Sequence, residues 1–234
     1  MGDAMTAMKF EDQQVPNLDD YARLAEQFIP GRLAIFAIVE SALLELLPQD
    51  AAKILIVGAG GGEEILRLGQ NNPHWSFVGV DTHQPMVDVA RRRLAESPVG
   101  ARSRVETTTI EALEDNGFDA ATCILTAHFV PDDGAKLAFF KAIRSRLKPN
   151  APFAIFDGVG VVGEARTELL RRIWKRHAMR NGVAEEVAKS NAENFKNVAV
   201  VSEEREENLL TNAGFQRLTP IFRGLAIKGW LAFA

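Results

Sequence analysis

The 234-residue sequence predicts an α/β fold: a doubly wound, mainly parallel seven-stranded sheet with a terminal antiparallel hairpin and N-terminal helices. Three observations carry this. Short apolar runs alternate with stretches of helical spacing between Lys53 and Phe156, the pattern of βαβ units around a parallel sheet. The strand runs are apolar almost throughout, as expected when helices cover both faces of a sheet. The last two strand-like runs have no helix between them and read as an antiparallel pair.

In chain order, residues 1–17 read as an arm and residues 18–47 as two helices broken at Pro30-Gly31, the strongest local punctuation available. Lys53-Ile54-Leu55-Ile56-Val57 is a β-branched strand followed by a glycine cluster, and helical spacing resumes over 63–68. Asn71-Asn72-Pro73 turns the chain into a second strand at 77–80, and a helix follows over 84–95. Strands over 104–109 and 120–125, a helix over 133–147 and a strand over 153–156 complete the alternation. A helix is expected over 164–179, with Leu169, Leu170, Ile173, Trp174 and His177 on one stripe and arginines around the rest. Runs at 219–222 and 226–233, joined around Arg223-Gly224, form the hairpin. The chain reads as a single domain, 1–234. Its parts are an N-terminal arm and helices (1–49), a cofactor-binding half (50–157), a lid-like helical insertion (158–200), and a last helix with the hairpin (201–234).

Composition narrows the function. A net charge of −4 gives no general basic field for nucleic acid. One cysteine, Cys123, excludes an internal disulfide framework and fits a reducing, cytoplasmic setting. Four scattered histidines offer no metal-ligand spacing, so no metal is expected. The first fifteen residues are acidic and lack the apolar core of a secretory signal. Residues 33–39 are too short an apolar stretch to span a bilayer, and no membrane partner is expected.

The chemistry concentrates at Gly58-Ala59-Gly60-Gly61-Gly62, between a strand and a helix, where glycine lets the backbone turn and approach a ligand. Glu63 occupies the place where the dinucleotide fingerprint needs a small residue. Glu63-Glu64 at the helix start would repel a pyrophosphate but tolerate a ligand without phosphate that carries a positive charge. No Gly-Lys-Ser/Thr is present, which excludes a P-loop. Asp81 ends the second strand 23 residues after Gly58, where a carboxylate accepts ribose hydroxyls of a nucleoside.

Ile54-Leu55-Ile56-Val57-Gly58-Ala59-Gly60-Gly61-Gly62 resembles the first motif of the class I S-adenosylmethionine (SAM)-dependent methyltransferases, and Val78-Gly79-Val80-Asp81 with Gln84-Pro85-Met86 resembles their second. Phe118-Asp119, His128-Phe129, Pro131-Asp132-Asp133, Leu147-Lys148-Pro149-Asn150 and Ala213-Gly214-Phe215 extend the likeness over residues 50–234. The resemblance implies a Rossmann-like methyltransferase fold with SAM as cofactor. It implies that Gly58, Ala59, Gly60 and Gly62 contact the methionine part and Asp81 the ribose. Thr82 and Met86 would lie along ribose and adenine, Ile110 and Glu111 beside the adenine, and Leu125 and Thr126 by the methionine segment. The strand leading into the glycines ends in apolar residues, Val57 included, where family members carry an acid that helps to anchor the SAM ammonium; Glu63 is the candidate replacement. A fainter resemblance, through Phe10, residues 12–15, Ile29-Pro30-Gly31 and Asn197-Val198, is to the carboxy-SAM synthases, which do not methylate. They carry a tyrosine and an asparagine where this chain has Arg32 and Ile124.

On the substrate side, Tyr21, His128 and Phe129 are the candidates, with His128 able to serve as a general base and Asp157 at the same sheet edge. Asp157 has the alternative of capping a turn, and the basic helix that of a solvated surface. No catalytic residue is fixed by this reading. The expected activity is methyl transfer from SAM to a small molecule by direct displacement, with nucleic acid disfavoured as substrate and a homodimer through the N-terminal helices expected. The alternatives are a non-methylating SAM enzyme and a SAM-binding module without catalysis.

Overall fold

The computed structural model describes residues 21–48, 50–194 and 198–234; the sequence readings at Phe10, residues 12–15 and Asn197 lie outside them. Two N-terminal helices, α1 (Tyr21–Phe28) and α2 (Arg32–Leu46), break at Pro30-Gly31. The parallel part of the sheet then builds through β1 (Ala52–Val57), α3 (Glu63–Asn71), β2 (Trp75–Asp81), α4 (Gln84–Ala95), β3 (Ser103–Thr107), β4 (Ala120–Ile124), α5 (Ala135–Arg146) and β5 (Pro152–Gly158). Two further helices, α6 (Ala165–Arg180) and α7 (Glu185–Asn194), precede α8 (Glu203–Asn212) and the hairpin β6 (Gln216–Gly224) and β7 (Ile227–Phe233).

The seven strands run in the order β3-β2-β1-β4-β5-β7-β6. The first five are parallel, and β7 pairs antiparallel with both β5 and β6. The alternating side-chain directions of the strands divide the core in two. Leu55, Val57, Cys123, Phe153 and Ile155 face Phe140, Ile143 and Leu209 of α5 and α8. Ile54, Ile56, Ala154 and Phe156 face Ile35, Val39, Ile65 and Val87 of α2, α3 and α4. This two-sided cover explains the unbroken apolar runs that the sequence showed. The chain moves outward from β1 in one direction and from β4 in the other, so the crevice for a ligand lies past the carboxyl ends of β1 and β4.

Several local expectations shift. β3 ends at Thr107, and Leu125 leaves β4 with a positive φ of 55°. The hairpin turns at Leu225-Ala226 rather than at Arg223-Gly224. Helix α7 had no clear apolar stripe to announce it; it buries only Ala188 and Ala192. The stripe expected on α6 is covered only in part: Leu170, Trp174 and His177 are half-buried. Leu169 and Ile173 are exposed, and the helix packs through Thr167 and Ala178 instead, with Trp174 against Phe28 at 5.0 Å between rings. Counting apolar residues misplaced this face because two small side chains, and not the leucine and isoleucine, meet the neighbouring helices.

Candidate functional site

The glycine loop sits in the crevice. The Gly58 and Ala59 N–H groups both donate to the Val80 carbonyl, at 2.9 and 3.0 Å, which pins the loop to the end of β2. Gly60 N–H donates to Asp81 Oδ2 at 2.8 Å and His83 N–H to Asp81 Oδ1 at 2.9 Å. Each carboxylate oxygen keeps a lone pair for a hydroxyl donor. Gly58 has φ of 78°, and a Cβ there would lie 2.0 Å from Thr126 Oγ1, so the loop runs directly against the chain leaving β4. A Cβ on Gly60 would lie 3.7 Å from Met86 Cε. Gly58, Gly60, Asp81, Met86 and Thr126 are therefore brought together.

The other expected cofactor residues are spread more widely. Thr82 is exposed just beyond Asp81. Ile110 is packed in the core cluster that holds Val57 and Val80. Glu111 is exposed, and its carbonyl accepts from Arg146 Nη2 at 3.0 Å. Leu125 donates its N–H to the Phe156 carbonyl at 2.7 Å, which holds the chain at the carboxyl edge of β4 and β5.

Beside the loop lies a charge cluster that the sequence reading assigned differently. Arg32 Nη2 pairs with Glu63 Oε2 at 2.6 Å, and Arg67 Nε holds Glu63 Oε1 at 2.8 Å. Burial pushes the Glu63 carboxyl up, but these two arginines outweigh it and keep it below its usual range. Glu63 is thus already neutralised. Its neighbour Glu64 is only 7% exposed, and its Oε1 has no hydrogen-bond partner. Burial drives the Glu64 carboxyl up to about 7, against the opposing pull of Thr122 and Arg32. Arg32 Nη1 is likewise buried without a partner. Buried polar atoms left unpaired are costly and are ordinarily met by water, an ion or a ligand. An orphaned guanidinium N–H and an orphaned carboxylate oxygen at one place match the two ends of a zwitterion. The amino-acid part of SAM has that chemistry, so the residues present fit the cofactor at its adenosine and methionine ends. Tyr21 stands in the same field: burial raises its phenol, with Arg32 opposing and Asp81 and Glu63 reinforcing.

A second polar group closes the far side of the crevice. His128 lies in a short 3-10 turn, Ala127–Phe129, after β4, and its ring is 4.3 Å from that of Phe129. Its Nδ1 makes a short contact with Asp157 Oδ1 of β5. Asp157 is fully buried and does not cap a turn. Behind it lie the buried Lys136 and Glu206, with Nζ and Oε2 3.8 Å apart. Lys136 Nζ also donates to the Ala199 carbonyl at 3.0 Å, and Ala199 N–H donates to the His128 carbonyl at 2.7 Å. Burial pushes the Cys123 thiol well up, which leaves it an inert core side chain.

Sequence reasoning missed Arg32, Glu64 and the Lys136–Glu206 pair as parts of the site. A signal existed for Glu64: it precedes Leu68 by one helical turn and so lies on the buried stripe of α3. Nothing in the sequence brings Arg32 to Glu63 before α2 is packed on α3.

Known proteins resemble this chain at three levels. A family pattern described as "Methyltransferase domain" matches residues 55–153. The ubiquinone biosynthesis O-methyltransferase of Bartonella tribocorum is 37% identical over 139 residues, which are 54% of this chain and 51% of that protein. The chain thus matches about half the length of that relative. The carboxy-S-adenosyl-L-methionine synthase of Campylobacter curvus is 23% identical over 229 residues, 96% of this chain and 94% of that protein. The solved structure of a SAM-dependent methyltransferase from Aquifex aeolicus shares the fold, with a TM-score of 0.59 at 20% identity over 91% of this chain and 97% of that one.

Proposed function

We propose that the chain is a class I SAM-dependent methyltransferase, a reading supported by the methyltransferase pattern over residues 55–153 and by the shared fold, and that it methylates a small molecule, with His128 as general base and Asp157 as its positioning residue. When bound, SAM supplies a methyl carbon made electrophilic by the adjacent sulfonium. Asp81, already braced against the loop, accepts the ribose hydroxyls. Arg32 takes the amino-acid carboxylate, and Glu64 takes the ammonium. The contact that carries the reading is that of His128 with Asp157. A buried carboxylate on Nδ1 fixes the ring tautomer and leaves Nε2 to receive a proton from the acceptor. Bound SAM would supply the methyl group to the acceptor atom, and His128 would take the proton that the acceptor gives up.

Titration with SAM tests the cofactor; no binding at millimolar SAM would sink the reading. Transfer of labelled methyl to a panel of hydroxyl, amine and carbon acids tests the base. His128→Ala and Asp157→Asn should keep SAM affinity while turnover drops by about 100-fold or more. Unchanged turnover in both would remove His128 from the chemistry.

The near full-length likeness to carboxy-SAM synthases supports a second reading, a SAM enzyme that does not methylate. Mass spectrometry of ligand retained on purification separates the two: SAM or its demethylated product in one case, a carboxylated SAM in the other. Retained SAM without turnover on any acceptor would favour a binding module. Leu33, Leu44 and Leu46 are exposed on α2 and support a homodimer through the N-terminal helices, which light scattering would detect.

A further inference from the structure

The geometry points to the outer face of α6 as a docking surface for an anionic phospholipid bilayer. Arg166, Leu169, Arg172, Ile173, Arg176 and Arg180 recur every three or four residues and are all exposed, so they share one face of the helix. That face contains two large apolar side chains, 49% and 42% exposed, flanked by four guanidinium groups. Glu168 is turned to Arg171 at 2.6 Å on the flank, and the carboxylate of Glu203 bears on the face only at its Arg166 end. The turn before the helix adds exposed Val161 and Val162. Across residues 161–180 there are six Lys or Arg against two Glu, a net +4 in a chain of net −4. On the flank Arg171, Arg172, Lys175 and Lys189 line a cleft of about 190 Å³ between α6 and α7, with Glu193 as its one carboxylate.

The arrangement selects among partners. A helix lying in a membrane interface buries apolar side chains at the acyl boundary while its cations reach the headgroup phosphates. A nucleic acid would be served by the arginines but not by aliphatic side chains between them. A second copy would bring four like charges against four. The chain has no helix, among the described residues, long and apolar enough to cross a membrane, and docking on a surface needs none. It therefore goes beyond the sequence expectation of no membrane partner, which rested on the absence of a spanning run.

The test is sedimentation of the full chain with phosphatidylcholine vesicles with and without phosphatidylglycerol. Binding is expected only with phosphatidylglycerol and should weaken as salt rises. Each of Arg172→Gln and Arg176→Gln should lower the partition coefficient about fivefold. The pair Leu169→Ser and Ile173→Ser should lower it about tenfold or more, with no change of charge. All variants should bind SAM as the parent does, which separates this proposal from the enzymatic one. Absence of binding to the anionic vesicles overturns it. So does binding that is indifferent to the serine pair and displaced by duplex RNA, which marks a nucleic-acid face. Loss of a dimer, or of thermal stability, in the serine pair without a change in vesicle binding also overturns it, and marks a second copy or residues 1–20 as the cover.

Discussion

Glu64 shows how one residue's position changes the chemistry available to the loop. Helical spacing places it on the buried stripe above Leu68, where burial raises its carboxyl to about 7. A carboxyl whose folded value lies above its unfolded one is stabilising while protonated, and that contribution fades as pH rises from about 4.5 through 7. Glu64→Gln should therefore raise the melting temperature at pH 8, by up to about 3 kcal/mol of stability, and make no difference near pH 4.5. Ligand binding follows the opposite sign. An ammonium favours the carboxylate, so SAM affinity should fall about tenfold per pH unit below 7. Calorimetric titration between pH 5.5 and 8 reads this directly. An equal slope in the parent and in Glu64→Gln would show that the ammonium sits elsewhere.

At the scale of elements, the β1-loop-α3 unit is held in a shape that only glycine adopts at Gly58. The residue combines φ of 78° with contact to Thr126, so Gly58→Ala meets both backbone strain and overlap. A loss of about 1–3 kcal/mol is expected, together with at least a tenfold loss of SAM affinity. Adding Thr126→Gly removes the side-chain atoms that a new Cβ would strike and should restore the overlap share alone. Chemical denaturation of the two variants measures how the loss divides. The loop, the alternation of elements and Asp81 were legible in the sequence, because glycines and apolar periodicity act locally. The faces of α6 and α7 were not, because Thr167, Ala178, Ala188 and Ala192 make their contacts by being small. The Arg32–Glu63 pair was not either, since residues so far apart meet only when α2 packs on α3.

On the scale of the whole molecule, the His128 turn and the core are linked through buried charge. Lys136 of α5 and Glu206 of α8 are both hidden from solvent, and Lys136 also holds Ala199, which in turn holds the backbone of His128. Burial and the nearby negative Asp157 push the Glu206 carboxyl up, while Lys136 opposes them. Its raised folded value again means stability that is present at low pH and lost as pH climbs past that value. Removing Lys136 takes away the opposing charge, so Glu206 must keep its proton or remain as an unpaired buried anion. Lys136→Met should then cost little at pH 6, where Glu206 is protonated in either protein, and about 3 kcal/mol or more at pH 9. The double variant Lys136→Met/Glu206→Gln carries no buried charge at either place and should melt with no such pH-dependent loss. Thermal melts at the two pH values decide it: a Lys136→Met deficit that stays constant from pH 6 to pH 9 would mean that the lysine acts through packing alone. A deficit that grows with pH, and disappears in the double variant, would mean that the proton on Glu206 is part of what sets α5, α8 and the His128 turn against the sheet.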